Sequence, residues 1–360
     1  MAQERDFSKI DRNYGNTSVD GFELEFHPGF EAPAVLEGFP FCRADGRPSR
    51  LPEDAVRRSE TDLGNYSLQG AGEEVRFRTD SPYFGIRAVF SEVNACFDSR
   101  RCSTGFDAYI HSGDDIRFAG NQVLPFEQKE MTAVWNFGMP EDGSMYDVTL
   151  IFPALSAVSD LLIGLAPGSR LEAPTPHRRK GKLVFYGSSL THRGTASRPG
   201  LRYPSLIGRM LDIEIVNMGL CGRCFGELPI ADAAASLDPA AFVLEFDHNA
   251  PTPEFLAERH EKFFKYFRSL CPETPVLMIS RPGFFPWRRT DAQRRNIIAR
   301  TWLNAVTAGD RHVDFLDGET LFAGPFRYEC TDDNCHQNNL GEALMAERIA
   351  DRLRNHVFLR

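Results

Sequence analysis

Lys182-Leu-Val-Phe-Tyr-Gly-Ser-Ser-Leu-Thr191 is the stretch on which the reading of this chain turns. Four apolar residues, Leu183 to Tyr186, run without a polar break and stop at Gly187. A short apolar run bounded by glycine suits a strand of a parallel sheet covered on both faces. In such sheets ligands bind just beyond the carboxyl ends of the strands. Ser188 and Ser189 stand at that end. A serine there has the setting of a nucleophile, provided that a base and an oxyanion site are supplied from elsewhere. The competing reading is a plain strand-to-helix turn with a serine N-cap. The stretch alone leaves both open.

Downstream, strands alternate with helices. Tyr203 to Leu211 reads as a helix with Leu206, Ile207, Met210 and Leu211 on one face, and Ile213 to Asn217 as a strand. Glu227 to Ala235, Pro253 to Leu270, Asp291 to Ala308 and Gly341 to Phe358 are further helices. Ala241 to Phe246, Pro275 to Ser280 and Val313 to Leu316 are further strands. This alternation predicts an α/β domain over residues 182–360, a parallel sheet with helices on both faces.

Upstream the pattern is different. Leu36–Phe41, Glu74–Thr79, Tyr83–Phe90, Gly105–His111, Thr132–Phe137, Tyr146–Phe152 and Ser159–Leu165 read as strands with turn signals between them. Many short strands without intervening helices predict an all-β sandwich, jelly-roll-like, over residues 1–170. A proline-bearing, charged segment at 171–181 reads as the linker.

Composition narrows the class of function. The 360 residues carry a net charge of −9, and their 41 basic side chains are scattered, which argues against nucleic acid. No apolar run reaches the ~20 residues of a spanning helix. The first ten residues lack the apolar core of a signal peptide, so a cytoplasmic setting without membrane contact is expected. Of the eight cysteines, Cys221, Cys224, Cys330 and Cys335 lack the paired short knuckles of a zinc site, and no metal or other cofactor is expected. Cys96 with Cys102, and Cys330 with Cys335, are spaced for disulfides in an oxidising setting; otherwise thiols are the default.

The ends of the later strands carry a series of polar residues. Ser189 follows the first strand. Asn217-Met-Gly-Leu-Cys-Gly222 ends the second, and Asp247-His-Asn249 follows the third. Asp333-Asn-Cys-His336 precedes the last helix. Serine, glycine, asparagine and histidine in this order resemble the four signature blocks of the SGNH (GDSL-type) hydrolase superfamily, over residues 182–358. The closer resemblance is to a bacterial subgroup with an N-terminal β-sandwich domain, on Tyr186-Gly-Ser-Ser-Leu-Thr191 and Ala196-Ser-Arg-Pro-Gly200. It implies a flavodoxin-like three-layer domain. It also implies Ser189 as nucleophile, His336 as general base and Asp333 as the carboxylate that orients it. Ser189, Gly222 and Asn249 would form the oxyanion hole. The chemistry needs these types: a hydroxyl becomes nucleophilic when an imidazole takes its proton, and a carboxylate fixes that imidazole's tautomer.

Departures stand beside the match. Ser188 replaces the aspartate of the Gly-Asp-Ser block. The third block, usually Gly-x-Asn-Asp, is Asp247-His248-Asn249-Ala250 and keeps only the asparagine, and Gln337 replaces a proline. His192 and His248 are rival bases, and Asp332 rivals Asp333, whose three-residue spacing to histidine matches the pattern. His248, Arg198, Arg281 and Trp287 are candidate substrate contacts in loops that should reach the same face, although the arginines and tryptophan equally suit bracing the two domains. Cys221 and Cys335 flank the site and read as small buried hydrophobes.

The resemblance points to a serine esterase that removes a small acyl group, acetyl above all, from a sugar or oligosaccharide. Two other classes stay in view: a non-esterase carbohydrate-active or glycan-binding protein on the same scaffold, and a lipid or thioester hydrolase.

Overall fold

The computed structural model describes residues 19–94, 99–113, 115–137, 139–140, 142–283 and 290–357. The first part of the chain is built from short strands. In order they are β1 (Glu25–Pro28), β2 (Val35–Glu37), β3 (Phe41–Cys42), β4 (Pro48–Ser49), β5 (Glu74–Thr79) and β6 (Phe84–Glu92). Then come β7 (Gly105–Ser112), β8 (Asp115–Val123), β9 (Glu130–Trp135), β10 (Tyr146–Ile151), β11 (Ala157–Leu165) and β12 (Leu171–Glu172). Two short helices, α1 (Glu53–Arg58) and α2 (Arg100–Ser103), interrupt them.

Ten of these strands form two antiparallel sheets, β1-β11-β6-β9 and β12-β5-β10-β7-β8 with β2 added beside β5, and β3 and β4 pair as a separate two-stranded sheet. Alternate residues point inwards from both sheets. Phe77, Phe84, Phe90, Phe106, Trp135 and Phe152 fill the space between, and Phe84 stacks on Trp135 at 5.3 Å. Each such ring contributes about 1.5–3 kcal/mol on burial, so aromatic volume holds this half together. One strand escapes the sequence reading. β8 pairs with β7 along Gly105–Ser112, where only a turn at Ser112–Asp115 is expected. Its first residues are exposed on both faces, so it carries little apolar alternation to read. Cys96 lies outside the described residues.

From Lys182 the chain alternates as expected. β13 (Lys182–Gly187) leads through α3 (Ser189–His192) to α4 (Tyr203–Leu211) and β14 (Glu214–Gly219). α5 (Leu228–Ala235), β15 (Ala241–Glu245), α6 (Pro253–Leu270) and β16 (Val276–Ile279) follow. α7 (Asp291–Thr307), β17 (Val313–Leu316) and α8 (Asn339–Arg352) complete it. The five strands are all parallel, in the order β14-β13-β15-β16-β17. Both faces are covered. Val184, Tyr186, Phe242, Leu244 and Met278 pack towards α5, α6 and α7, while Leu183, Phe185, Val243, Leu277 and Ile279 pack towards α4 and α8. Burial on both sides is why the strands read as unbroken apolar runs.

The order of the sheet places the site. β13 has β14 on one side and β15 on the other, so the chain reverses direction across the sheet there. The crevice at such a switch point, outside the carboxyl ends, is the natural ligand position. The ends of β13, β14 and β15 carry Ser189, Gly222 and Asn249.

The all-β half is keyed into this sheet by charge buried in hydrogen bonds. Arg50, fully buried between α1 and the sheet, donates to the carbonyls of Gln69, Tyr66, Asn217 and Gly219. Asn217 Nδ2 returns the contact to Ala71 O at 2.7 Å. At the other end of β14, His177 of the connecting segment bridges Glu37 and Asp212, at 2.8 Å to each. Burial alone would lower the His177 pKa, but the two carboxylates outweigh it and hold the pKa above its ordinary value.

Candidate active site

A sharp turn sets the serine. Gly187 ends β13, and a side chain there would collide with Thr191 Oγ1 and stand 2.8 Å from Glu245 Oε2. Ser188 is the N-cap of α3, its Oγ accepting from Leu190 N at 3.2 Å. Ser188 caps the helix as the competing reading of the stretch had it, and Ser189, the first residue of the helix, turns its hydroxyl towards the loop of His336.

Ser189 Oγ lies 2.8 Å from His336 Nε2. His336 Nδ1 lies 2.7 Å from Asp333 Oδ2. The loop that supplies both residues is tied by its own turn, because Asp333 Oδ1 accepts from the backbone N–H of Cys335 at 2.9 Å and of His336 at 2.6 Å. Partial burial pushes the Asp333 pKa up, yet the hydrogen bonds from His336 outweigh this and hold it below the usual range. The Asp333 carboxylate is thus charged at neutral pH and fixes the proton of His336 on Nδ1, leaving Nε2 to accept from Ser189. Asp332 is turned elsewhere: its N–H donates to His336 O and its carboxylate faces Asn338.

Gln337, where a proline is usual, has a visible task. Its Nε2 donates to Leu190 O at 2.7 Å, and its carbonyl accepts from Thr195 N at 2.7 Å. It stitches the histidine loop to the serine helix.

Three candidate donors follow the carboxyl ends of β13, β14 and β15. Ser189 is the first residue of α3, so its N–H is one that a helix leaves unpaired. Gly222 has φ +66°, a left-handed conformation in which a side chain would be strained, and its N–H meets no acceptor among the described residues. Asn249 Oδ1 accepts from Cys224 N at 3.1 Å, which fixes the amide and leaves Nδ2 as the outward donor.

The other candidates fall differently. His192 is fully buried beside Tyr66, with Nδ1 accepting from Cys221 N at 3.4 Å; burial drives its pKa far down, so it is a neutral core residue away from the serine. Arg198 donates to Asp107 Oδ2 and Tyr109 Oη, both at 2.6 Å, and lies over the Phe118 ring. These contacts brace the loop after α3 against β7 and β8. Arg281 N donates to Asp247 Oδ2 at 3.0 Å, and its guanidinium approaches Asp291 at 3.5 Å. Asp247 itself is buried and bound by Arg294. His248 is sealed, its side chain 4% exposed and its Nδ1 3.5 Å from Glu245 Oε1. Trp287 lies outside the described residues.

Glu245 escapes the sequence reading. It ends the apolar strand β15, fully buried, and Oε2 accepts from Ser188 N at 2.9 Å, Ser188 Oγ at 2.8 Å and Thr191 Oγ1 at 3.1 Å. Burial outweighs these hydrogen bonds and raises its pKa to about 7. A carboxylate closing an otherwise apolar run is the signal that could have found it.

Hydroxyl, imidazole and carboxylate thus form a chain of hydrogen bonds at the mouth of a parallel sheet, an arrangement that can make a serine nucleophilic. Residues 180–354 match the model of the GDSL-like lipase/acylhydrolase family, and residues 29–171 match the N-terminal region of SGNH hydrolase-type esterases. The chain belongs to the SGNH (GDSL-type) hydrolase superfamily, in the subgroup with an N-terminal β domain, and is a carboxylic ester hydrolase. Among solved structures, a protein described as a GDSL-like lipase from Bacteroides ovatus is similar in fold, at 23% identity and TM-score 0.81, covering 92% of this chain and 97% of that one. The salicylyl-acyltransferase SsfX3 of a tetracycline biosynthetic pathway is similar at 20% identity and TM-score 0.75, covering 94% and 99%. An acetyl xylan esterase from the rumen bacterium Butyrivibrio proteoclasticus is similar at 13% identity and TM-score 0.59, covering 92% and 98%. No curated protein matched the chain. No helix among the described residues is long and apolar enough to cross a membrane.

Proposed function

We propose that this esterase hydrolyses a small acyl ester, acetyl above all, carried on a carbohydrate, with Ser189 as nucleophile, His336 as general base and Asp333 as its orienting carboxylate. The observation that carries this reading is the relay itself, 2.8 Å from Ser189 Oγ to His336 Nε2 and 2.7 Å from His336 Nδ1 to Asp333 Oδ2.

In the first half-reaction Ser189 Oγ attacks the ester carbonyl while its proton passes to His336 Nε2. The carbonyl oxygen becomes an oxyanion and is received by the N–H groups of Ser189 and Gly222 and by Asn249 Nδ2. His336 then returns the proton to the departing sugar oxygen, and the acyl group stays on Ser189. Water, deprotonated by the same imidazole, attacks the acyl-enzyme and releases the acid. Each oxyanion donor is expected to contribute about 3 kcal/mol.

The substrate class has two supports. His336 is 20% and Asp333 50% exposed in their side chains, so the relay stands at an open rim, suited to an ester borne on a bulky polar molecule. The fold is also shared with an acetyl xylan esterase, which supplies the acetyl-carbohydrate expectation.

The test is turnover of p-nitrophenyl acetate and of acetylated oligosaccharides by wild type and Ser189→Ala. Wild type should release acetate from both, and Ser189→Ala should be slower by about 10³-fold or more. Unchanged turnover in Ser189→Ala would remove the nucleophile. Wild type that is inert on all short-chain esters would favour a glycan-binding role.

A further inference from the structure

Beneath the nucleophile lies a second carboxylate–histidine pair, Glu245 and His248. Glu245 sits at the end of β15, level with Gly187 in the register of the sheet. Its Oε2 gathers three donors from the turn that carries Ser189: the N–H and the hydroxyl of Ser188, and the hydroxyl of Thr191. Thr191 is in turn hydrogen bonded to Tyr203 Oη at 2.8 Å, so the hydroxyls of α3 and α4 form a chain that ends on this carboxylate. The other oxygen, Oε1, has no hydrogen-bond partner among the described residues and faces His248 Nδ1 at 3.5 Å. Neither ring nitrogen of His248 has a hydrogen-bond partner among them.

We propose that Glu245 is a positioning residue for Ser189: its carboxylate holds the Ser188 turn from below and stands in for the charge of the aspartate that Ser188 replaces. This rests on the reading of Ser189 as nucleophile. Glu245 need not touch substrate, because its side-chain hydrogen bonds among the described residues all go to that turn.

Proton balance follows from the contacts. With Oε2 committed as an acceptor, the proton of the neutral acid sits on Oε1, the oxygen that faces His248. On ionisation that proton leaves to solvent and the carboxylate keeps its three donors from the turn. The charged form gives the shorter, stronger hydrogen bonds to the turn. It is therefore the form that positions Ser189 best, and activity should rise as Glu245 ionises. The groups that face it are few. Arg281, from the loop after β16, lowers its pKa, and burial raises it. Asp247 and His248 follow it on its own segment, the Cys224 thiol lies near it from the turn after β14, and Tyr203 reaches it through Thr191.

The experiment compares wild type, Glu245→Gln and Ser188→Ala by kcat and KM against pH, with melting temperature and with labelling of Ser189 by a fluorophosphonate. Glutamine can keep an acceptor towards Ser188 and Thr191 while losing the titratable proton. In wild type Glu245 must lose its proton for full activity, which adds one to the slope of the acid limb of log kcat against pH, to about two. In Glu245→Gln the slope should fall to about one, with kcat lower by about 10-fold or more and KM within about twofold. In Ser188→Ala, which removes one of the three donors, the second ionisation should move to higher pH. That variant also decides the matter if Glu245→Gln fails to fold. Unchanged slopes and ionisations in the variants would overturn the proposal, as would a lower melting temperature with a wild-type pH profile. If wild type turns over esters but does not label at Ser189, the nucleophile assignment itself fails, which is a separate result.

Discussion

The cleft contains two carboxylate–histidine pairs of identical spacing, Asp333/His336 and Glu245/His248, each three residues apart. They behave oppositely. The first lies on a loop at the rim, with Asp333 50% and His336 20% exposed, and its partners are 2.7 Å apart. The second is sealed at the end of β15, 1% and 4% exposed, with its partners 3.5 Å apart. Hydrogen bonds win at the rim and the Asp333 pKa is lowered; burial wins below and the Glu245 pKa rises to about 7. One motif therefore yields a fixed charge in one place and a group titrating near neutrality in the other. Depth and hydrogen-bond geometry, more than spacing, decide what such a pair can do.

The comparison can be broken from either side. The largest effect is expected at the rim: His336→Ala should lower kcat by about 10³-fold or more in the p-nitrophenyl acetate assay, since it removes the base. Asp333→Asn should cost less, about 10²-fold, because solvent can partly replace a half-exposed carboxylate; the check is kcat with KM held in view. An equal loss in both variants would mean that the rim carboxylate is as indispensable as a buried one.

Stability should separate the pairs by pH window. A carboxyl whose pKa is raised on folding stabilises fully below its unfolded value and loses that contribution as pH climbs to the folded one. Glu245 should therefore make wild type lose on the order of 3 kcal/mol relative to Glu245→Gln between about pH 4.5 and 7. Asp333 has the opposite sign: its contribution is complete above the unfolded pKa and is lost as pH falls through the lowered folded value. Denaturant unfolding of wild type and both variants from pH 3 to 8 measures the two windows, and the Asp333 effect should be the smaller, since its carboxylate is half exposed.

Much of this was legible in the chain. α4 and α6 lie where their apolar faces and prolines put them, and β13 to β17 where apolar runs meet turn residues. Ser189 and Asn249 stood out as polar residues after such runs, whereas Gly222, Asp333 and His336 drew attention through the resemblance to the SGNH blocks. β8 was missed because exposed residues on both faces leave no alternation. Glu245 was missed for a different reason. Periodicity reports which face a strand residue occupies, not which backbone amides of a neighbouring strand it will meet, and those amides belong to Ser188, fifty-seven positions earlier.

β14 is an edge strand, and an unpaired edge invites pairing with another chain. Arg50 occupies its carbonyls at Asn217 and Gly219, and Gly38 packs against its backbone at Ile215. Both residues come from the all-β half. A ribosome makes that half first, so the guard of the edge has left the tunnel before the edge itself is synthesised. The order of the two halves along the chain thereby serves as a safeguard during synthesis: at no stage does β14 emerge without the segment that covers it.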